Sequence, residues 1–177
     1  GYNAISKSTF TGTVAGYTFV IQSSSFNTIT DTLIQNLAGE ALWMDAGANY
    51  NTISYSTMSS NTFGTRALYM NQASSNTITR SVLSNPAGMG AVLQGLSNGN
   101  VLSYDSVSVN NASWKALSIT NSSSNTLREL FVSNPAGHAL YVADASTFNA
   151  VSRSTAASSA SGYFGLWVYR ASSNPVV

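Results

Sequence analysis

Residues 76–83 read Asn-Thr-Ile-Thr-Arg-Ser-Val-Leu, and close copies read Asn-Thr-Ile-Ser-Tyr-Ser-Thr-Met at 51–58 and Asn-Thr-Ile-Thr-Asp-Thr-Leu-Ile at 27–34. Each copy opens on an asparagine with an apolar residue two positions later. The opening asparagines recur at steps of 24 or 25 residues along the whole chain, at Asn3, Asn27, Asn51, Asn76, Asn100, Asn125, Asn149 and Asn174. A fixed period of this size indicates a solenoid in which each repeat forms one coil.

Within each repeat, apolar and polar residues alternate over short segments such as Leu68-Tyr69-Met70. Alternation over three to five residues predicts short strands with one face turned inward, and no segment shows the 3.6-residue period of a helix. When identical coils stack, the opening asparagines form a ladder whose side-chain amides bond from coil to coil and to backbone groups of the bends. The sequence therefore predicts an all-β parallel β-helix of about seven coils of 24–25 residues.

The repeats are of two kinds. One kind carries Asn36-Leu-Ala-Gly39, Asn85-Pro-Ala-Gly88 or Asn134-Pro-Ala-Gly137, and the other has a longer bend at that place, as at 60–64 and 158–162. Asparagines of the same kind are separated by 49 residues, for example Asn76 and Asn125. We therefore interpret the repeating unit as a pair of unlike coils.

The phrase Asn-x-Ile-x-x-Ser-x-Phe/Leu, with Gly-x-x-apolar segments, resembles the right-handed parallel β-helix repeats of the pectate-lyase-like superfamily. Repeats of the NosD type, from a periplasmic copper-site assembly protein, are similar. The resemblance covers the whole chain and implies one right-handed β-helix domain over residues 1–177, which we expect to be a fragment or module of a longer protein. It leaves function open, because this fold carries lyases, hydrolases, adhesins, phage tailspikes and structural rods.

Composition narrows the classes of function. Charged residues make up 7% of the chain and the net charge is +1, so we expect no nucleic-acid partner. There is no cysteine for disulfides or thiolate metal sites, and no apolar run approaches the roughly 18 residues of a membrane span. His138 is the only histidine and is expected to be a solvent-facing bend residue. We predict no cofactor, no metal, no membrane insertion and an extracellular or cell-surface location.

Alignment of the coils places four of the six carboxylates beside a basic residue one coil away, as Asp31 with Lys7, Glu40 with Arg66, Glu129 with Arg153 and Asp144 with Arg170. Such pairs indicate charge ladders on a solvated surface. Asp105 and Glu129, on adjacent coils one column apart, are the nearest approach to a catalytic pair of acids, and burial of Asp105 would raise its pKa. Without a better pair, we favour a non-enzymatic function.

One outward column holds the aromatic residues that are the candidate binding residues: Trp43 next to Tyr69, and Tyr141 next to Trp167. Exposed aromatic rings in a charge-poor strip suit stacking on sugar rings or contact with another protein. The alternative is that these cross-strand pairs only stabilise the sheet.

Two further columns and the strand edges at both ends of the solenoid yield hypotheses. The ladder of Thr28-Ile-Thr30, Thr52-Ile-Ser54 and Thr77-Ile-Thr79 resembles an ice-contacting face, although Arg128 interrupts its continuation. The column Lys7, Asp31, Tyr55, Arg80, Tyr104, Glu129 and Arg153 alternates charged and aromatic residues, which predicts cation–π contacts. The strand edges predict end-to-end self-association.

The preferred function is a non-catalytic extracellular module, a stalk or an adhesive or glycan-binding surface, with polysaccharide or a cell-surface protein as partner. The alternatives are a segment of a divergent polysaccharide lyase or hydrolase, and an ice-binding surface.

Overall fold

A computed structural model describes residues 1–177. The chain forms 21 strands and no helix, and these strands make three parallel seven-stranded sheets. Each coil contributes one strand to each sheet, so every strand pairs with the equivalent strand of each adjoining coil. The prediction of an all-β solenoid with seven coils is therefore confirmed.

The first sheet begins directly after the opening asparagine of each coil. Its strands are β1 (Ala4–Ser6), β4 (Thr28–Thr30), β7 (Thr52–Ser54), β10 (Thr77–Thr79), β13 (Val101–Ser103), β16 (Thr126–Arg128) and β19 (Ala150–Ser152). The middle residue of each strand faces the core, where Ile53 pairs with Ile78 and both are fully buried.

The second sheet follows after a bend of two residues. Its strands are β2 (Thr9–Gly12), β5 (Leu33–Asn36), β8 (Thr57–Ser60), β11 (Val82–Ser84), β14 (Ser106–Ser108), β17 (Phe131–Ser133) and β20 (Thr155–Ala157). Met58, Leu83 and Val107 lie in register on its inner side and have no exposed surface.

The third sheet has the longest strands and supplies two inward apolar columns. Its strands are β3 (Tyr17–Ile21), β6 (Glu40–Met44), β9 (Arg66–Asn71), β12 (Met89–Gln94), β15 (Leu117–Thr120), β18 (Leu140–Ala143) and β21 (Leu166–Tyr169). Leu68 and Met70 illustrate the two columns, and both are fully buried. One continuous cluster of 30 buried apolar residues runs through the coils, and its burial is the main stabilising contribution.

The asparagine ladder forms along the full length of the solenoid. In each step the backbone N–H and the side-chain Nδ2 of one asparagine both donate to Oδ1 of the next, as from Asn76 to Asn100 at 2.8 and 3.2 Å. Most members also donate Nδ2 to a carbonyl of the coil before, as Asn100 does to Ala73. The ladder thus satisfies polar groups at a bend that is closed to water.

A second set of asparagines belongs to the coils with the short bend. Asn85 accepts from the N–H groups of Ala87 and Gly88 and donates to the carbonyls of Thr62 and Thr65 on the coil before. Gly88 is required at this place because a Cβ there would lie 2.5 Å from both Asn85 Nδ2 and the Thr65 carbonyl oxygen. The two-coil unit predicted from the sequence is therefore visible as two kinds of coil interface.

The chain turns between sheets through residues with positive φ that are mostly not glycine. The bend between the first and second sheets has φ between 48° and 58° in all seven coils, at Lys7, Asp31, Tyr55, Arg80, Tyr104, Glu129 and Arg153. The residue before each opening asparagine is also left-handed, with Gly99 in one coil and Ser124 in the next. These columns fix the corners of the solenoid and point their side chains outward.

Candidate functional site

The outer surface of the third sheet carries the predicted aromatic strip, and we call this surface the aromatic face. The strands pair Trp43 with Tyr69 and Tyr141 with Trp167, in the register that the repeat predicted. Between the two pairs the outward position holds Val92 and Ser118, both buried by their neighbours. The strip is therefore two clusters and not a continuous band. At a strand spacing of about 4.8 Å, Tyr69 and Tyr141 are separated by roughly 14 Å.

The first aromatic cluster consists of Tyr17, Trp43 and Tyr69. The ring of Tyr17 stacks on Trp43 with centroids 4.3 Å apart, and Trp43 is nearly parallel to Tyr69 at 6.3 Å and 10°. The Arg66 guanidinium lies 4.5 Å from the Tyr69 ring centre. Because the neighbouring rings and Arg66 cover these ring faces, the first cluster offers mainly ring edges to a ligand.

The second aromatic cluster consists of His138, Tyr141 and Trp167. Trp167 lies 4.9 Å from Tyr141 at an interplanar angle of 52°, and 4.6 Å from His138 at 40°. The Lys115 ammonium lies 5.5 Å from the ring centre of Tyr141. Tilted rings leave part of their faces uncovered, so the second cluster is the better platform for stacking on a sugar ring.

His138 differs from its predicted position as a solvent-facing bend residue. It is half-buried among aromatic rings, including Phe164 at 5.5 Å, and its Nδ1 accepts the Phe164 backbone N–H at 3.1 Å. Burial, and to a lesser extent the charge of Lys115, lowers the pKa of His138. The imidazole therefore acts as a neutral aromatic member of the cluster.

A polar column runs beside the first cluster and was not recognised in the sequence. Gln22 and Asn71 donate to the two oxygens of Asp45, at 3.2 and 3.3 Å, and Gln94 donates to the Tyr69 hydroxyl at 2.6 Å. The signal was present, because each of these amide and acid residues lies two positions after the outward residue of its third-sheet strand. Planar amides next to aromatic rings give the aromatic face both hydrogen-bonding groups and apolar surface.

The structure forms two of the four predicted ion pairs. Arg66 donates to Glu40 at 2.5 Å, and Arg153 lies 3.5 Å from Glu129. The Glu40 pair is not on a solvated surface as predicted, because the Glu40 carboxylate is buried under the first cluster. Burial raises the pKa of Glu40, and the hydrogen bond and charge of Arg66 partly offset this.

The other two predicted ion pairs were wrong. Asp31 and Lys7, and likewise Asp144 and Arg170, are not within ion-pair distance although they occupy neighbouring coils. All four residues have positive φ at corners of the coil. Side chains at these corners point toward solvent, and their hydration competes with ion pairing.

The predicted burial of Asp105 is confirmed, and it removes this residue from any paired site with Glu129. Asp105 faces the core and its two oxygens accept the N–H groups of Ser81, at 2.7 Å, and Ser103, at 3.0 Å. Burial raises the pKa of Asp105 to about 7, and the two backbone hydrogen bonds oppose the shift. Glu129 lies on the outer side, so the two acids do not share a surface.

The threonine ladder and the charged column are both in the predicted register. Thr30 shares a hydrogen bond with Ser54 at 2.8 Å, and Ser103 donates to Thr79 at 3.0 Å, so hydroxyls of the ladder bond to one another. In the charged column, Arg80 lies 5.5 Å from the ring centre of Tyr55 and 5.2 Å from that of Tyr104. The predicted cation–π contacts are therefore confirmed.

A second aromatic stack was missed. Tyr2, Phe26 and Tyr50 each precede an opening asparagine, and their rings stack at 5.3 and 5.1 Å with interplanar angles of 12° and 6°. The recurrence of an aromatic residue directly before the asparagine could have revealed it. Parallel stacking covers the inner ring faces, which indicates a stabilising role at this corner.

No group of three or more His, Cys, Asp or Glu residues lies close enough together to hold a metal ion. No helix in the structure has the length and hydropathy that crossing a membrane requires.

Comparison with known proteins defines the family. Residues 1–129 match the family described as right handed beta helix region, so the protein belongs to that family and its solenoid is a right-handed β-helix. No curated protein sequence matches the chain.

Two solved structures show similarity at low identity. An alginate lyase from Paenibacillus sp. str. FPU-7 is 14% identical with a TM-score of 0.45, covering 92% of this chain and 72% of the lyase. QnrB1, a plasmid-mediated fluoroquinolone resistance protein, is 7% identical with a TM-score of 0.25, covering 91% of each chain.

Proposed function

We propose that the protein is a non-catalytic extracellular or cell-surface β-helix module that binds polysaccharide on its aromatic face. The observation that carries the proposal is the second cluster, in which Trp167 and Tyr141 are tilted by 52° and half-buried beside a neutral histidine. Such a platform supplies apolar ring surface for the C–H faces of a sugar. A polysaccharide outside the cell is the partner that this chemistry fits best.

Two clusters along one axis favour a long ligand. They occupy coils 1–3 and 6–7 of the aromatic face, with Val92 and Ser118 between them. A polymer that runs parallel to the solenoid axis reaches both clusters, and the second contact then forms at a high effective concentration. Affinity should therefore increase with chain length beyond what a single sugar contact supplies.

The two alternative functions receive less support. Asp105 is closed to solvent and separated from Glu129, so the only pair of acids that the sequence offered for a hydrolase does not meet. In the threonine ladder, Thr30 and Thr79 are engaged with neighbouring hydroxyls, and Arg128 projects from the same column. An ice-contacting face needs a flat and continuous surface.

Retention in affinity gel electrophoresis, with a panel of soluble polysaccharides, tests the proposal. Trp167→Ala should reduce retention about tenfold or more, a loss typical of removing an aromatic contact. Trp43→Ala should reduce it less, because the neighbouring rings already cover that indole. Phe26→Ala is the matched control, since it removes an aromatic residue from a different corner. Unchanged retention of Trp167→Ala, or an equal loss in Phe26→Ala, would contradict binding on the aromatic face.

A further inference from the structure

The outer surface of the second sheet carries no charged residue along its whole length, and we call this surface the neutral face. It consists of two outward columns, one from Thr9 to Thr155 and one from Thr11 to Ala157, with one residue of each column on every coil. The seven basic and six acidic residues lie instead on or beside the first and third sheets, except Asp105, which is in the core.

Apolar residues on the neutral face recur on every second coil. Leu33, Val82 and Phe131 are 49 residues apart on coils 2, 4 and 6, whereas the same column holds threonine or serine on the other four coils. Val82 is 44% exposed and Phe131 is 51% exposed. The alternation is symmetric about coil 4, so a two-fold axis through this coil would bring apolar residues onto apolar residues.

The corner between the second and third sheets adds uncharged apolar surface beside the neutral face. Val14, Leu37 and Phe63 lie on its first three coils and are 71%, 54% and 65% exposed, and Pro86 and Pro135 follow on coils 4 and 6. With strands about 4.8 Å apart and about 3.3 Å per residue, seven coils of a surface about six residues wide offer roughly 700 Å². This area is close to the ~800 Å² that each partner buries in a stable protein complex.

We propose that the neutral face is the interface of a homodimer in which two solenoids pack side by side and antiparallel. The two-fold axis follows the strand direction through coil 4, so coil 4 faces coil 4 and coil 2 faces coil 6. Val82 then packs on the second copy's Val82, and Leu33 packs on the second copy's Phe131. Sheets packed face to face about 10 Å apart leave room for these side chains. The contact is isologous and therefore closes at two copies.

The absence of charge favours a second copy over a partner with a charged surface. A charged partner would lose hydration on this face without gaining an ion pair, whereas a second copy presents the same uncharged surface with the same strand spacing. The hydroxyl groups between the apolar residues also have partners within the chain, as Ser108 donates to Ser84 at 3.2 Å. Hydroxyls that are already bonded lose less when water is excluded.

The neutral face is separate from the aromatic face, which is the outer surface of the third sheet. The dimer leaves the aromatic faces of both copies exposed. Dimerisation therefore does not depend on polysaccharide binding, and failure of either proposal leaves the other standing.

Sedimentation velocity over a range of protein concentrations tests the proposal. The protein should be mainly a dimer at about 0.1 mM. Val82→Glu should weaken dimerisation about tenfold or more, because the two glutamates would meet at the two-fold axis. Thr77→Glu is the matched control and should leave dimerisation unchanged, since Thr77 lies on the same coil but on the outer surface of the first sheet. Circular dichroism checks that both variants fold.

Paired charge variants distinguish this dimer from any other association of the chain. An equimolar mixture of Val82→Glu and Val82→Lys should dimerise again, because opposite charges then meet at the axis. Leu33→Glu combined with Phe131→Lys in one chain should dimerise, whereas Leu33→Glu combined with Phe131→Glu should not.

Four results would overturn the proposal. The first is a wild-type protein that stays monomeric at the concentration given above. The second is an equal loss of dimer in Val82→Glu and Thr77→Glu. The third is a mixture of the two Val82 variants that remains monomeric, or two double variants that behave alike. The fourth is growth beyond dimers that Val82→Glu does not affect, as end-to-end stacking of solenoids would give.

Discussion

At the scale of single residues, the opening asparagines show why one residue type recurs in every coil. Asn100 accepts two hydrogen bonds from Asn76 and donates to Ala73 and Asn125. It has no exposed surface. Only an amide offers both an acceptor and a donor at the end of so short a side chain. Aspartate would lack the two N–H donors of the amide. Serine would offer a single donor on a shorter side chain.

Asn100→Ala should lower the free energy of unfolding by roughly 3 kcal/mol, because it leaves the buried N–H of Asn76 and the carbonyl of Ala73 without partners. Urea denaturation followed by circular dichroism measures the change. Asn61→Ala is the control, because Asn61 is exposed and should shift stability by less than about 0.5 kcal/mol. Equal effects of the two substitutions would show that the ladder is not a stabilising element.

Asp105 occupies a column in which five other coils carry serine or threonine and the coil directly after it carries Leu130. Ser81 accepts the Ser56 N–H and donates to the Thr79 carbonyl, whereas the Asp105 carboxylate accepts from two N–H groups. Burial raises the folded-state pKa of Asp105 from 3.8 to about 7. Between these pH values the folded protein holds a proton that the unfolded chain has lost, so stability decreases as pH rises from about 4 to about 7.

Measurement of the unfolding free energy at about pH 5 and pH 8 tests this linkage. Because of Asp105, the protein should be more stable at the lower pH by roughly 2–4 kcal/mol. Glu40, whose pKa is also raised, adds in the same direction, and His138 acts weakly in the opposite one. Asp105→Ser, which copies Ser81, should remove most of the pH dependence. A slope that survives in this variant would assign the linkage to another group.

The site residues show what a sequence can and cannot reveal at this scale. Register follows from the period, so the aromatic pairs and the Glu40–Arg66 contact were predictable. Burial of Glu40 was not, because it depends on how Tyr17, the partner of Glu40 on the strand before, packs against Trp43 of Glu40's own strand. Likewise, the sequence does not show that the hydrogen bond from the Phe164 N–H directs the His138 side chain into the second cluster.

At the scale of elements, the bends were the least predictable part of the fold. Left-handed residues are usually Gly or Asn, yet the bend between the first and second sheets uses Tyr, Arg, Lys, Asp and Glu. The bend is repeated in each coil, and its backbone N–H groups bond to the next coil, as Tyr55 N–H does to Thr79. The stack therefore imposes a conformation that each isolated residue disfavours.

The column before the opening asparagines allows a direct test of this strain. Ser124 has φ of 58° and is exposed, and Gly99 occupies the same place one coil earlier. Ser124→Gly should be neutral or stabilising by up to about 1 kcal/mol, since glycine has no steric cost at positive φ. Ser124→Val should destabilise by more than about 1 kcal/mol, because a β-branched residue fits this region poorly. Thermal unfolding of both variants gives the comparison, and the reverse order would contradict it.

At the scale of the whole molecule, the solenoid is a stack in which each coil contacts mainly its neighbours, so stability approximates a sum over coil interfaces. Two interfaces alternate here. Where a short-bend coil follows a long-bend coil, Asn85 donates to the Thr62 and Thr65 carbonyls. Where a long-bend coil follows, Asn111 donates to the Ala87 carbonyl. The 49-residue unit of the sequence predicts the alternation, but it does not reveal the hydrogen bonds that stabilise each kind of interface.

Deletions of one coil and of two coils distinguish these interfaces. Removing residues 76–124 joins Ser75 to Asn125, and the Asn134 amide then meets Thr62 and Thr65 as Asn85 does in the intact protein. Removing residues 76–99 places coil 5 directly on coil 3, an arrangement of two long bends that occurs nowhere in the structure. The single-coil deletion should therefore unfold at the lower temperature, by about 5 °C or more, although it keeps one coil more. A thermal scan monitored by circular dichroism makes the comparison. If the longer chain proves the more stable, the coil and not the coil pair is the cooperative unit of this β-helix.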